Sequence, residues 1–235
     1  MTHPIDEYHL GVTRTARYYT LGSPGPGVRE LWLVCHGYGQ LARYFLRRFA
    51  PLADGSRLLV APEALSRFYL EDPGTSHTAA RVGATWMTRE DRLTEIQDYV
   101  RYLDAVHAQV LERLKRKGVR LVVLGFSQGV ATACRWAALG AAATDALILW
   151  AHGLPPDLDL AAAGERWRRL AVWLVAGERD AAYTAAAAAA DGRRLAEHGV
   201  RQETVTFPGG HELDAATLTA LGQRVRALAA GEATP

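Results

Sequence analysis

Lysine is nearly missing from this chain of 235 residues: only Lys115 and Lys117 carry an ammonium group, and arginine supplies the rest of the positive charge. Lys and Arg together number 27 against 25 Asp and Glu, a formal net charge of +2. So small an excess cannot neutralise a row of phosphates, and no nucleic-acid partner is expected. The preference for arginine reads as a genomic or thermal bias. Cysteine is equally scarce. Cys35 and Cys134 each lie inside an apolar segment, as small buried hydrophobes and not as a disulfide framework, which suits a reducing compartment. No uninterrupted apolar run approaches the roughly 20 residues of a membrane span. The opening MTHPIDEYHLGVTRTARYYTLG lacks the apolar centre of a secretory signal, so a cytoplasmic location is expected. Histidine pairs at i, i+4 and Cys-x-x-Cys patterns are both lacking, and SPGPGV and HGYGQ lack the signatures of nucleotide loops. Neither metal nor cofactor is expected.

What the chain does have is a hydrophobic share of 49% with 22% charged residues, ordinary for a globular protein. Its length suits one large domain over residues 1–235, without repeats or a long linker. Strand-like apolar runs recur at Thr15–Leu21, Leu31–Cys35, Arg57–Ala61, Leu121–Gly125, Ala146–Ala151, Ala171–Ala176 and Glu203–Phe207. Helical spacing appears at Leu41–Ala50, Gln128–Leu139, Thr184–His198 and Glu212–Ala229. It is clearest after Thr88, where TRED predicts a capping box ahead of Leu93, Ile96, Val100, Leu103, Val110 and Leu114. Continuous apolar strands alternating with helices predict an α/β fold, a mostly parallel sheet with helices on both faces. The segment around Phe68–Leu70 and Trp86 fits neither strand nor helix.

Only five serines occur, and one of them stands in Gly125-Phe126-Ser127-Gln128-Gly129, at the junction of a predicted strand and a predicted helix. This Gly-x-Ser-x-Gly pattern is that of a nucleophile elbow, where a strained turn presents the hydroxyl and glycines let the neighbouring backbone pass. A serine hydroxyl is a weak nucleophile at neutral pH, so it needs a base, and the base needs an orienting acid. His211, on the glycine-rich turn PGGH after the last strand, is the expected base. His198 beside Gly199 reads as a solvated helix end, and His152 as a residue lining the pocket. Asp180 in GERD is the expected acid, with Glu178 facing solvent or pairing with Arg179. The backbone N–H groups of Gln128 and of Tyr38, in the loop His36-Gly37-Tyr38-Gly39, are the expected oxyanion donors. His36 in that loop reads as structural.

With these pieces in place the chain resembles the α/β-hydrolase fold, and more narrowly the bacterial phospholipase/carboxylesterase family that includes the acyl-protein thioesterases. HGYG, GFSQG, GERD and PGGH fall in that family's order between about Leu31 and Leu228, and GLP at Gly153–Pro155 fits as well. The resemblance implies hydrolysis of carboxylic esters or thioesters without cofactor or metal, with Ser127, Asp180 and His211 as triad. Three features depart from the family pattern: Gln40 after Gly39, Ala-Ala-Tyr after Asp180, and a longer, more aromatic stretch from Ala61 to Asp91. The expected substrate is a small-molecule ester of short to medium acyl chain. Acyl-protein thioesterase or lysophospholipase activity, or a non-catalytic binding protein of the same fold, are the alternatives. Aromatic and apolar residues cluster beside the catalytic loops at Tyr38, Tyr44, Phe45, Phe68–Leu70, Trp86, Met87, Trp150, Leu154 and Tyr183. From these, Phe68, Tyr69, Trp86, Met87, Leu154 and Tyr183 are expected, with His152, to wall the pocket. The short connection from His152 to Leu170 leaves little chain for a lid.

Overall fold

The computed structural model describes residues 5–71, 78, 80–116 and 118–228. Seven strands form one sheet in the order β1 (Tyr18–Leu21), β3 (Arg57–Pro62), β2 (Glu30–Cys35), β6 (Arg120–Phe126), β7 (Ala146–Trp150), β8 (Ala171–Gly177) and β9 (Arg201–Phe207). Only β1 runs antiparallel to its neighbour. The expected mostly parallel α/β sheet is the one observed.

Strands β2, β3 and β7 are buried at every position, because helices cover both faces. The period of two then divides each run between two cores. Leu31, Leu33 and Cys35 pack with α2 (Arg92–Leu114), α3 (Gln128–Leu139) and α4 (Leu160–Arg168), and Leu195 of α5 (Ala185–Glu197) joins them. Trp32 and Val34 pack on the opposite side with α1 (Ala42–Leu46), the 3₁₀ turn Arg47–Leu52 and α6 (Ala215–Ala227). The free thiols Cys35 and Cys134 are buried in the first of these cores. No helix among the described residues is long and apolar enough to cross a membrane.

Three local readings are corrected, and one further helix is found. The stretch left without an assignment forms a two-stranded antiparallel arm, β4 (Ser66–Tyr69) paired with β5 (Val82–Thr85). Helix α2 begins at Arg92, not in a TRED box at Thr88. Asp91 stands before it in the left-handed region at φ 46° without a side-chain cap, while the Glu95 carboxylate reaches back to accept from the Thr88 N–H at 2.6 Å. The helix expected over Leu41–Ala50 tightens after Leu46 into the 3₁₀ turn that contains Pro51. The chain between His152 and Leu170 is used for α4, whose Leu160, Ala163 and Trp167 enter the core.

Candidate active site

Ser127 sits between the end of β6 and the first turn of α3 with φ 52° and ψ −123°, a conformation costing a non-glycine residue about 1–3 kcal/mol. Its surroundings hold it there. The Ser127 N–H donates to Trp150 O at 2.9 Å, and Ser127 O accepts from the Val130 N–H at 2.9 Å. The flanking glycines are a requirement of space. A Cβ on Gly125 would lie 2.4 Å from Gly129 O, and one on Gly129 would lie 2.2 Å from Cys35 O.

Asp180 and His211 come from the exits of β8 and β9, which run side by side. The two loops are stitched beyond the sheet: Glu178 N–H donates to Phe207 O at 2.9 Å and Arg179 N–H to Gly209 O at 2.8 Å. Gly177 allows this approach, since a Cβ there would meet Gly210 O at 2.4 Å. His211 Nδ1 then lies 2.8 Å from Asp180 Oδ2, and its Nε2 lies 2.9 Å from Ser127 Oγ. A carboxylate only accepts, so the Nδ1 proton faces Asp180 and Nε2 is left to accept from the serine hydroxyl. Asp180 is 4% exposed, and its Oδ1 accepts from the N–H groups of Ala182 at 2.8 Å and Tyr183 at 3.2 Å. Glu178 is exposed. The structure thus brings together the three residues expected from the sequence.

The loop His36–Gly39 passes directly beside the elbow, with the Gly37 Cβ direction 3.2 Å from Ser127 Cβ. Among the described residues, the backbone N–H groups of Tyr38 and Gln128 have no protein acceptor. Gln128 is also the first residue of α3, where the helix dipole favours negative charge. The arm holds both donors. Gly39 N–H donates to Ala84 O at 2.9 Å and Ala84 N–H to Gln40 O at 3.2 Å. The Gln128 side-chain amide donates from Nε2 to Thr85 Oγ1 at 2.8 Å and Met87 O at 2.9 Å, and its Oε1 accepts from the Trp86 N–H at 3.2 Å. Gln40, one of the departures from the family pattern, has a use here: its Oε1 accepts from the Gly37 N–H at 2.8 Å.

His36 is fully buried under this loop. Ala64 N–H donates to its Nε2 at 3.1 Å, which leaves Nδ1–H to donate to Gly37 O at 2.8 Å. Burial pushes its pKa down to about 4, against the opposing pull of the Gly37 bond and the Glu63 carboxylate.

A cleft of about 700 Å³ opens beside His211, lined by Gln40, Leu41, Tyr44, Phe45, Arg48, Leu70, Arg81, Val82, Phe126, Glu212 and Leu213. The residues expected as walls lie elsewhere. Trp86 is buried, with its indole N–H on His36 O at 2.8 Å. Leu154 and Tyr183 are buried, and the Tyr183 hydroxyl and the Leu154 N–H both donate to Asp191 Oδ2 at 3.1 Å. Met87 packs toward α3, where Arg135 Nη1 reaches its sulfur. His152 is exposed, its Nδ1 3.0 Å from Gly153 O. The Phe68 ring lies against Tyr38 at a tilt of 32° with ring centroids 5.1 Å apart, and Tyr69 is exposed. From the wider cluster, Tyr44, Phe45 and Leu70 do line the cleft. One group of three potential metal ligands occurs among the described residues, the exposed Glu7, His9 and Asp91, and none of them belongs to this site.

No family model matches the chain, and no curated protein matches it. Solved structures do match. Acyl-protein thioesterase 2 of Zea mays superposes with a TM-score of 0.67 at 15% identity, covering 91% of this chain and 99% of that one. A carboxylesterase from Mesorhizobium loti gives 0.66 at 16% identity, with 90% and 94% covered. A phospholipase/carboxylesterase from Dyadobacter fermentans gives 0.62 at 14% identity, with 92% and 99% covered. At such identities the likeness is one of fold, and the fold is that of the α/β-hydrolases, as the resemblance in the sequence implied.

Proposed function

We propose that the chain is a serine carboxylesterase, one domain over residues 1–235, that hydrolyses small esters of short to medium acyl chain in the cytoplasm. The observation that carries this reading is the unbroken hydrogen-bonded chain from Ser127 Oγ through His211 to the buried Asp180 carboxylate. Ser127 Oγ attacks the ester carbonyl carbon while His211 Nε2 takes its proton. Asp180 keeps Nδ1 protonated and stabilises the imidazolium. The oxyanion accepts from the N–H groups of Tyr38 and Gln128. Collapse of the tetrahedral intermediate expels the alcohol, which leaves with the proton from Nε2. Water then attacks the acyl-enzyme through the same base and frees the acid and the serine. Leu41, Tyr44, Phe45, Leu70, Val82 and Leu213 give the cleft an apolar wall, and its volume of about 700 Å³ suits a small molecule.

A fluorophosphonate probe tests the assignment directly. It is expected to attach at Ser127 in the intact protein, and Ser127→Ala is expected to abolish both labelling and p-nitrophenyl ester hydrolysis. Labelling that persists in the variant, or maps to another residue, overturns the reading.

A further inference from the structure

The cleft carries three charged side chains beside the His211 imidazole: Arg48, Arg81 and Glu212. Two of them already have partners. Arg81 Nε–H donates to Glu71 Oε1 at 2.5 Å, and its backbone N–H donates to the other oxygen of that carboxylate at 2.6 Å. Glu212 turns back on its own loop, its Oε1 accepting from the Gly210 N–H at 3.3 Å. The Arg48 side chain is exposed and has neither a hydrogen bond nor an ion pair among the described residues. Its neighbour Arg47 lies over the Tyr44 ring, 5.3 Å from the centroid, so of these adjacent arginines only Arg48 is free in the cleft.

Its place in the fold is well defined. Arg48 lies in the 3₁₀ turn between two buried anchors, Phe45 and Phe49, whose rings meet at 5.2 Å. The Phe45 ring in turn lies 6.0 Å from Phe126, which lies 5.2 Å from the His211 imidazole. A row of rings thus leads from the base toward Arg48, which follows Phe45 by about one helical turn, roughly 5 Å of rise. A guanidinium keeps its charge at any working pH and presents paired donors that match carboxylate and phosphate oxygens. Glu212 stands next to His211 in the chain and disfavours a second anion beside the scissile bond.

We propose that Arg48 determines specificity by selecting esters that bear an anionic oxygen group, a carboxylate or a phosphate, remote from the scissile bond. This rests on Ser127 hydrolysing an ester in this cleft. Two matched pairs test it: mono-4-nitrophenyl glutarate against 4-nitrophenyl pentanoate, and butyryl glycerol phosphate against butyryl glycerol. The measured quantity is the ratio of kcat/KM for the charged over the neutral member of each pair. Arg48→Gln is expected to lower that ratio about tenfold, ~1.4 kcal/mol, in at least one pair. Arg48→Lys is expected to retain part of it, and Arg47→Gln to leave it unchanged. The pair that responds tells whether carboxylate or phosphate is the recognised group. A ratio that Arg48→Gln leaves unchanged in both pairs overturns the proposal. Wild-type protein inactive on all four esters overturns the esterase reading instead. Arg48 is then judged by calorimetric titration with glutarate and glycerol phosphate: binding weakened in Arg48→Gln supports the anion site, and equal or absent binding refutes it.

Discussion

Replacing His36 by glutamine is expected to flatten the acid limb of the protein's stability curve. In the folded chain the ring is closed in by two bonds of opposite sense, accepting from the Ala64 N–H and donating to Gly37 O. Protonating Nε2 would set two N–H groups against each other and place a cation in a site with no exposure. Burial therefore lowers the pKa from the ordinary 6.5 to about 4. Below about pH 6.5 the unfolded chain takes up a proton that the folded chain refuses, so stability falls as the pH falls. The loss builds between pH 6.5 and about 4 and is complete below that, where both states are protonated. At 1.36 kcal/mol per unit the full effect is ~3 kcal/mol, a large part of a typical 5–15 kcal/mol. Urea unfolding of wild type and His36→Gln at several values between about pH 8 and pH 4 measures it, because other titrating groups are common to both. The variant is expected to be less stable near neutrality, having lost part of the bonding, with the gap closing by ~3 kcal/mol toward the acid end. A gap that stays constant across that range would refute the reasoning.

Two further outcomes are expected. Asp180→Asn is expected to lower kcat by about 10⁴, the size of the same change in a serine protease triad, because the amide admits the wrong imidazole tautomer. Glu178→Gln, on an exposed side chain, is expected to stay within several-fold; the reverse pattern would show that the acid was wrongly chosen. For p-nitrophenyl esters from acetyl to palmitoyl, kcat/KM is expected to peak at or below the medium chains. Each methylene adds only about 0.8 kcal/mol until the wall is met, so a profile still rising at palmitoyl would contradict the cleft described above.

The parallel sheet was legible because its inner strands are buried on both faces and so read as uninterrupted apolar runs with β-branched residues. Ser127, Asp180 and His211 were legible for a related reason. Ser127 follows such a run directly and Asp180 lies three residues beyond another, while His211 lies beyond the partly exposed β9 and was marked by its glycine-rich turn; parallel strands deliver their exits to one edge of the sheet. The arm β4–β5 was not. Its partners Ser66 and Thr85 are far apart in sequence, and alternate residues of β4 are exposed, so neither strand shows an apolar run. Helix α4 hid behind Gly164, which breaks its dihedrals at φ 50° in the middle. The residues expected as walls do not line the cleft beside His211, because proximity in sequence to a candidate catalytic loop says nothing about which way a side chain turns. Trp86 goes inward to His36 O, whereas Tyr44 and Arg48, on elements that precede the elbow by some eighty residues, face the cleft. Arg48 left only one trace in the sequence, an arginine amid the apolar spacing of Leu41–Ala50, which a solvated helix face explains equally well.

The arm has two jobs that cannot be varied separately. Val82 borders the cleft, while Ala84, Thr85, Trp86 and Met87, only a few residues on, hold the loops that carry the Tyr38 and Gln128 N–H groups. A shift of this strand by one residue to admit a bulkier ester would exchange its two faces and carry those backbone anchors with it. Natural or laboratory drift in substrate range should therefore settle in Tyr44 and Arg48, which lie outside both the arm and the loop that carries His211, leaving the arm as the slowest-changing part of the cleft wall.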